Sequence, residues 1–393
     1  MISEQIKNDL SNSSWIRAMF EEGERLRQIY GADKVFDFSL GNPDYEPPEI
    51  VQENLKNLIT GQVEGLHRYT SNAGYTDVRE KIAGQIKDET GLPFTSGNII
   101  MTCGAAGGLN VLFKAILNPG DEVAIFSPFF VEYRFYAQNH GGKCVIVPPG
   151  PDFQPDPQAL EQRITPACKA IILNSPNNPS GVVYSREVLE ALAGVIDKKE
   201  KEYNTEILVI SDEPYSKLLY DGVQLPNLMN IFKNCAIVNS FSKSLALPGE
   251  RIGYIAISPK IEDTSMLMAA MVFANRTLGY VNAPSLFQKL VAMSLDQRPD
   301  TDEYQKRRDL LYNHLINLGF ECVKPRGAFY LFPRSPIADD VEFVKQAVKY
   351  NLLLVPGTGF ACPGYFRIAY CVSINTIQNS FPAFDKLAAE FIK

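Results

Sequence analysis

Seven short apolar runs, rich in isoleucine and valine and separated by longer stretches of helical spacing, constrain this chain more than any other feature. They occupy residues 98–102, 122–126, 144–147, 170–173, 207–210, 236–238 and 252–257. A strand that is apolar on both faces is buried on both, and intervening helices supply the cover. The expectation is an α/β domain with a mostly parallel seven-stranded sheet. Ligands of such sheets bind at the carboxyl ends of the strands, where the loops collect. The length of 393 residues allows two or three domains and a large core.

The flanks read differently. Residues 13–31 have helical spacing, with Trp15, Ile16, Met19, Phe20, Leu26 and Ile29 near one face and Gly31 as a stop. Residues 35–40 read as a short strand entering the turn cluster Gly41-Asn42-Pro43-Asp44. Beyond residue 290, 302–315 and 338–349 read as helices, and 328–332, 352–355 and 366–369 as strands. We expect a large domain over 46–289 and a smaller α+β domain built from 1–45 and 290–393.

Composition excludes several function classes. The net charge of −7, with no basic block, disfavours nucleic acid and anionic membrane surfaces. The longest strongly apolar run, 266–274, is too short to span a bilayer. The N-terminal MISEQIKNDL lacks the apolar core of a signal peptide. The chain reads as cytoplasmic. Cys103, Cys144, Cys168, Cys235, Cys322, Cys362 and Cys371 are scattered, and His67, His140 and His314 lie at no ligand spacing. No disulfide framework or metal site is expected.

Four polar clusters each follow one of the apolar runs. Asn239-Ser240-Phe241-Ser242-Lys243 places two hydroxyls before a lysine, and Arg251 comes eight residues later. Such a lysine can form a Schiff base with an aldehyde, and serines with an arginine suit a phosphate dianion. Asp212 closes another run, and an acid there is costly unless it meets a cation; Tyr215 follows it. Asn174-Ser175-Pro176-Asn177-Asn178-Pro179-Ser180-Gly181 specifies a tight, fixed loop. Cys103-Gly104-Ala105-Ala106-Gly107-Gly108 lets backbone N–H groups approach a phosphate at a helix start. It is neither a Walker loop nor a dinucleotide fingerprint. Taken singly, each cluster is equally an ordinary loop, cap or packing contact.

In this order, the clusters resemble the fold-type I pyridoxal 5′-phosphate (PLP) enzymes, and within them the class I and II aminotransferases of the aspartate-aminotransferase type. The resemblance runs through LGNPDYEPP, RYTSNAGYTDVRE, TCGAAGG, SPFFVEY, NSPNNPSG, SDEPY, SFSKSLALPGERIGY and YFRIAY. It implies the PLP-dependent transferase fold and a PLP cofactor bound as a Schiff base to Lys243. Asp212 then holds the pyridine nitrogen protonated, and Tyr215 with Asn178 binds the ring oxygen. Ser240, Ser242, Arg251 and the Gly104, Ala105 and Ala106 amides hold the phosphate. Phe130 stacks on the ring, Arg367 grips the substrate carboxylate, and Gly41 lines the substrate pocket. Tyr69 matches a tyrosine that reaches the neighbouring subunit's phosphate, which implies a homodimer.

The chain departs from the commoner family pattern at Ala105 and Ala106, at Phe130, and at the Ser of Pro179-Ser180-Gly181. The resemblance implies ping-pong transfer of an amino group from an L-amino acid to a 2-oxo acid. A C–S β-lyase or other carbanion reaction on the same scaffold is the alternative. An aminotransferase-like transcription regulator is disfavoured, because only about 40 non-basic residues precede the first site motif. Arg276 is a candidate for reading a distal substrate carboxylate, and Phe20, Tyr45 and Tyr280 for lining an apolar pocket.

Overall fold

The structure, a computed structural model, describes residues 1–11, 15–61 and 63–392. Strand β1 (Phe36–Asp37) precedes the main sheet. That sheet contains β2 (Ile99–Thr102), β3 (Glu122–Phe126), β4 (Lys143–Val147), β5 (Cys168–Asn174), β6 (Leu208–Asp212), β7 (Cys235–Ser240) and β8 (Gly253–Ile257). The spatial order is β2-β8-β7-β6-β5-β3-β4. Strand β8 runs antiparallel to both its neighbours, and the remaining pairs are parallel. All seven apolar runs are strands of this sheet.

Successive side chains alternate between two cores, as the pleat requires. Ile99, Met101, Ala124, Phe126, Ile171, Leu173, Val209 and Ile237 pack on one face. Helices Thr76–Thr90 and Arg186–Tyr203 cover it with Ile82, Ile86, Leu189 and Leu192. Ile100, Val123, Ile125, Ile172, Ile210, Val238 and Ile255 pack on the other. Helices Gly104–Ile116 and Thr264–Thr277 cover that face with Leu109, Leu112, Met268 and Met271. Burial on both faces explains why these runs are continuously apolar rather than alternating.

A further core is built mainly from both ends of the chain, joined by Tyr215, Leu218 and Tyr220 from the segment after β6. Helices Thr301–Asn317, Asp340–Val348 and Ile374–Phe391 pack with β9 (Tyr330–Leu331), β10 (Leu352–Leu353), β11 (Val355–Pro356) and β12 (Phe366–Ala369). Strand β1 pairs in parallel with β10, and β11-β12-β9 is antiparallel.

Two expectations for the flanks need adjustment. The strand expected over 35–40 is only two residues long, because the backbone after Phe36–Asp37 serves other partners. The Phe38 carbonyl accepts from the Ala369 amide at 2.9 Å, the Ser39 carbonyl accepts from Arg367, and the Leu40 carbonyl accepts from Cys371 Sγ at 3.5 Å. The helix expected over 13–31 spans Trp15–Tyr30, with Gly31 at φ 90° as its stop, and a further helix, Glu4–Ser11, precedes it. Met19 and Leu26 are buried, but Ile29 is 56% exposed. Ser13 and the side chains of Trp15, Ile16 and Phe20 lie outside the described residues.

Candidate active site

The carboxyl ends of β2, β3, β5, β6 and β7 border a cavity of about 320 Å³. Gly41, Ala105, Ala106, Phe130, Asn178, Asp212, Tyr215, Ser240, Ser242, Lys243, Arg251 and Arg367 all line it. Gly104 lies directly behind. Its φ is +69°, and a Cβ there would come 2.9 Å from an Arg251 guanidinium nitrogen. Of the residues expected in the site, Tyr69 is the exception: it is 87% exposed and does not line this cavity.

Asp212 ends β6 and continues the alternation of Leu208 and Ile210. Its Oδ2 accepts from the Tyr133 hydroxyl, while its Oδ1 is buried with no partner. Burial pushes this carboxyl up to about 7, against the downward pull of the Tyr133 bond. The Asp212 carbonyl accepts from Asn174 Nδ2 at 2.9 Å. Asn174 Oδ1 in turn accepts from the Asn178 amide at 2.8 Å. The Asn-Pro loop is thereby tied to the end of the neighbouring strand.

Lys243 sits in the single helical turn Phe241–Ser244 that follows β7. Its Nζ donates to the Gly41 carbonyl at 2.5 Å and lies 5.6 Å from the Phe329 ring centre. Burial lowers its ammonium to about 8; Arg251 and Arg367 push the same way, and Cys371 opposes them. Ser240 and Ser242 are buried beside it. Arg251 holds its own loop, donating from Nη1 to the Pro248 carbonyl at 2.8 Å.

Arg367, on β12, is 2% exposed. Its Nη1 donates to Asn178 Oδ1 at 3.0 Å and its Nη2 donates to the Ser39 carbonyl. Its Nε has no partner. The guanidinium lies 4.7 Å from the Tyr330 ring centre and 4.8 Å from that of Phe360. A buried arginine that lines a cavity and keeps one N–H unpartnered is suited to a carboxylate.

Sequence reasoning missed several lining residues. Tyr133, Tyr136 and Tyr330 all face the cavity, as does Asn174, the first residue of the Asn-Pro loop singled out above. Tyr133 stands three residues after Phe130, one helical turn away, and that spacing is the signal that could have found it. Arg276 is exposed and outside the cavity; its guanidinium lies 5.3 Å from the Phe273 ring centre. Of the candidate apolar-pocket residues, Tyr45 packs edge-on to Tyr304 and does not line the cavity, nor does Tyr280.

A larger cleft of about 1390 Å³ is bordered by Glu213, Lys217 and Tyr254. No unpartnered buried polar atom among the described residues belongs to it. No cluster of metal-ligating side chains occurs among the described residues, and none of their helices is long and apolar enough to cross a membrane.

Comparison with known proteins agrees with this geometry. Residues 33–381 match the family "Aminotransferase class I and II". The aspartate/prephenate aminotransferase of Thermus thermophilus is 34% identical, over 88% of this chain and 89% of its own. The aromatic-amino-acid aminotransferase 2 of Thermococcus litoralis is 30% identical, over 97% of each. The crystal structure of an aminotransferase from Eubacterium rectale superposes with a TM-score of 0.96 at 40% identity, covering all of both chains. The chain belongs to the class I and II aminotransferases. It is a PLP-dependent transferase enzyme with the aspartate-aminotransferase-like fold.

The residues present fit that cofactor. A buried carboxylate oxygen without a partner is unfavourable unless a donor or cation arrives, and a pyridinium N–H is such a group. Ser240, Ser242, Arg251 and the first turn of helix Gly104–Ile116 offer hydroxyls, a guanidinium and free amides to a phosphate.

Proposed function

We propose that the cavity transfers an amino group between an L-amino acid and a 2-oxo acid, and that Lys243 both holds the cofactor and moves the proton. The observation that carries this reading is the meeting of three groups in one cavity: the bare Asp212 Oδ1, the buried amine of Lys243 and the unpartnered Nε of Arg367. Bound there, PLP supplies an electron sink for the pair left when the substrate Cα–H bond breaks.

The chain's own residues do the rest. Asp212 Oδ1 would accept from the pyridine N–H and keep that nitrogen protonated, a charge that would in turn favour ionised Asp212. Tyr215 and Asn178 would donate to the ring oxygen. Ser240, Ser242, Arg251 and the Gly104, Ala105 and Ala106 amides would hold the phosphate, and the Phe130 ring would pack on the cofactor. Arg367 grips the substrate α-carboxylate, oriented by Asn178 and Ser39. Gly41 lines the pocket there, its missing side chain leaving room for the Tyr330 hydroxyl. The amine of Lys243, which burial biases toward its neutral form, takes the Cα proton as a general base.

We also propose aspartate as an amino donor. Support comes from the names of relatives at 32–35% identity, several of them aspartate aminotransferases. The protein works as a cytoplasmic homodimer in which exposed Tyr69 completes the neighbouring phosphate site and Arg276 reads a distal carboxylate there. Residues 46–289, and 1–45 with 290–393, act as two domains; the separate cores on the sheet and around β9–β12 support this. The test is Lys243→Ala, which should load PLP weakly and show no turnover with any amino acid. A Lys243→Ala protein with wild-type turnover overturns the assignment.

A further inference from the structure

Tyr330 belongs to none of the roles assigned so far, yet it touches three groups that carry them. It pairs across β9 and β12 with Ala369, which puts Arg367 diagonally opposite on the neighbouring strand, within reach of a long side chain. Its ring lies under the Arg367 guanidinium at 4.7 Å. Its hydroxyl is 2.8 Å from the Tyr215 hydroxyl. A Cβ on Gly41 would sit 2.0 Å from the Tyr330 oxygen, so that oxygen occupies the space a side chain at 41 would fill. Tyr330 is 2% exposed and lines the cavity.

We propose that Tyr330 is a positioning residue whose hydroxyl donates to Tyr215 Oη, leaving the single Tyr215 proton free to point at the cofactor's ring oxygen. This rests on the reading of Tyr215 given above. A phenol has one proton to donate. If Tyr215 spent it on Tyr330, nothing would remain for the ring oxygen. The two hydroxyls lie 2.8 Å apart, so one of them donates to the other. With the Tyr215 proton given to the ring oxygen, the donor between them is Tyr330. Through its ring, it also connects the residue that grips the substrate carboxylate to the residue that holds the ring oxygen.

The test compares Tyr330→Phe, Tyr215→Phe and the double variant, each loaded with PLP. The readout is the pH midpoint of the change in the bound cofactor's visible absorbance, with kcat and KM measured alongside. A hydrogen bond to the ring oxygen favours its anionic form, so losing the bond raises the midpoint. Tyr330→Phe leaves the Tyr215 proton but removes the bond that orients and polarises its hydroxyl, so it should raise the midpoint by about one pH unit, with KM for the amino acid within about two-fold, because the ring under Arg367 remains. The double variant should match Tyr215→Phe alone. An unshifted midpoint in Tyr330→Phe beside a shifted one in Tyr215→Phe overturns this inference alone. Full additivity in the double variant does the same. An unshifted midpoint in Tyr215→Phe overturns the reading of Tyr215 as well. If Tyr330→Phe does not load PLP, 3-fluorotyrosine at position 330, a more acidic phenol of nearly equal size, should lower the midpoint; no movement overturns the inference.

Discussion

Asp212 and Lys243 are both buried against their own charges, and the signs differ in consequence. Asp212 has its folded-state value raised from the ordinary 3.8 to about 7. Between those values the folded apoprotein binds more protons than the unfolded chain, so stability falls as pH rises through that window. Asp212→Asn should therefore stabilise the apoprotein above pH 7, by up to about 4 kcal/mol, and lose that advantage below pH 4; thermal unfolding across pH reads both. Lys243 is lowered from 10.5 to about 8. Its neutral, nucleophilic fraction grows as pH rises through that value, so the rate of PLP attachment to apoprotein should rise from pH 6 and level off above about 8. A rate independent of pH would contradict it. Arg367→Lys keeps the charge but loses the fork, and kcat/KM should fall by about 10- to 100-fold. The lysine, the acid and the arginine were marked by their places in the motifs that carry the family resemblance, since each taken singly also suits an ordinary loop, cap or salt bridge. Tyr133 and Tyr330 were not, because an aromatic residue at core spacing looks like core until its hydroxyl is seen to meet Asp212 or Tyr215.

Among the elements, the helix Gly104–Ile116 shows how local sequence sets up binding. Its first residues are small, Gly104 adopts a positive φ, and the first turn opens beside Arg251. Gly104→Ala brings a methyl group against that guanidinium and strains the backbone by about 1–2 kcal/mol. PLP affinity should drop roughly ten-fold as a result, measured as the dissociation constant of the cofactor; an unchanged constant would show that the turn takes no part. The sheet strands were readable because two-sided burial makes them continuously apolar. The strand near residue 36 was overestimated for an opposite reason. Phe38, Ser39 and Leu40 look like strand, but their carbonyls are taken by Ala369, Arg367 and Cys371. That diversion places Gly41 at the cavity and brings its carbonyl to Lys243.

Across the whole molecule, the cavity lies where the carboxyl ends of the sheet meet β9 and β12 of the third core. The sheet side supplies the groups assigned to the cofactor, and the other side supplies Arg367 and Tyr330. One chain leaves Tyr69 87% exposed and Arg276 outside its own cavity. Sequence marks these two residues by resemblance alone, and no periodicity or apolar run around them fixes their place. If Tyr69 completes the partner's site, inactive Lys243→Ala and weakened Tyr69→Ala chains should complement on mixing. The hybrid then has one site with both residues intact, and activity should rise above that of either homodimer. Activity that is only the average of the two would exclude shared sites.

The most direct measurement follows the bound cofactor through half a reaction. The protein is loaded with PLP, its visible absorbance is recorded, and L-aspartate is added without any oxo acid. The visible band should collapse as one equivalent of 2-oxo acid is released, and return when a second 2-oxo acid is supplied. Release of ammonia with continuous turnover in the absence of an oxo acid would instead mark elimination chemistry, and no visible band at all would contradict the assignment of Lys243.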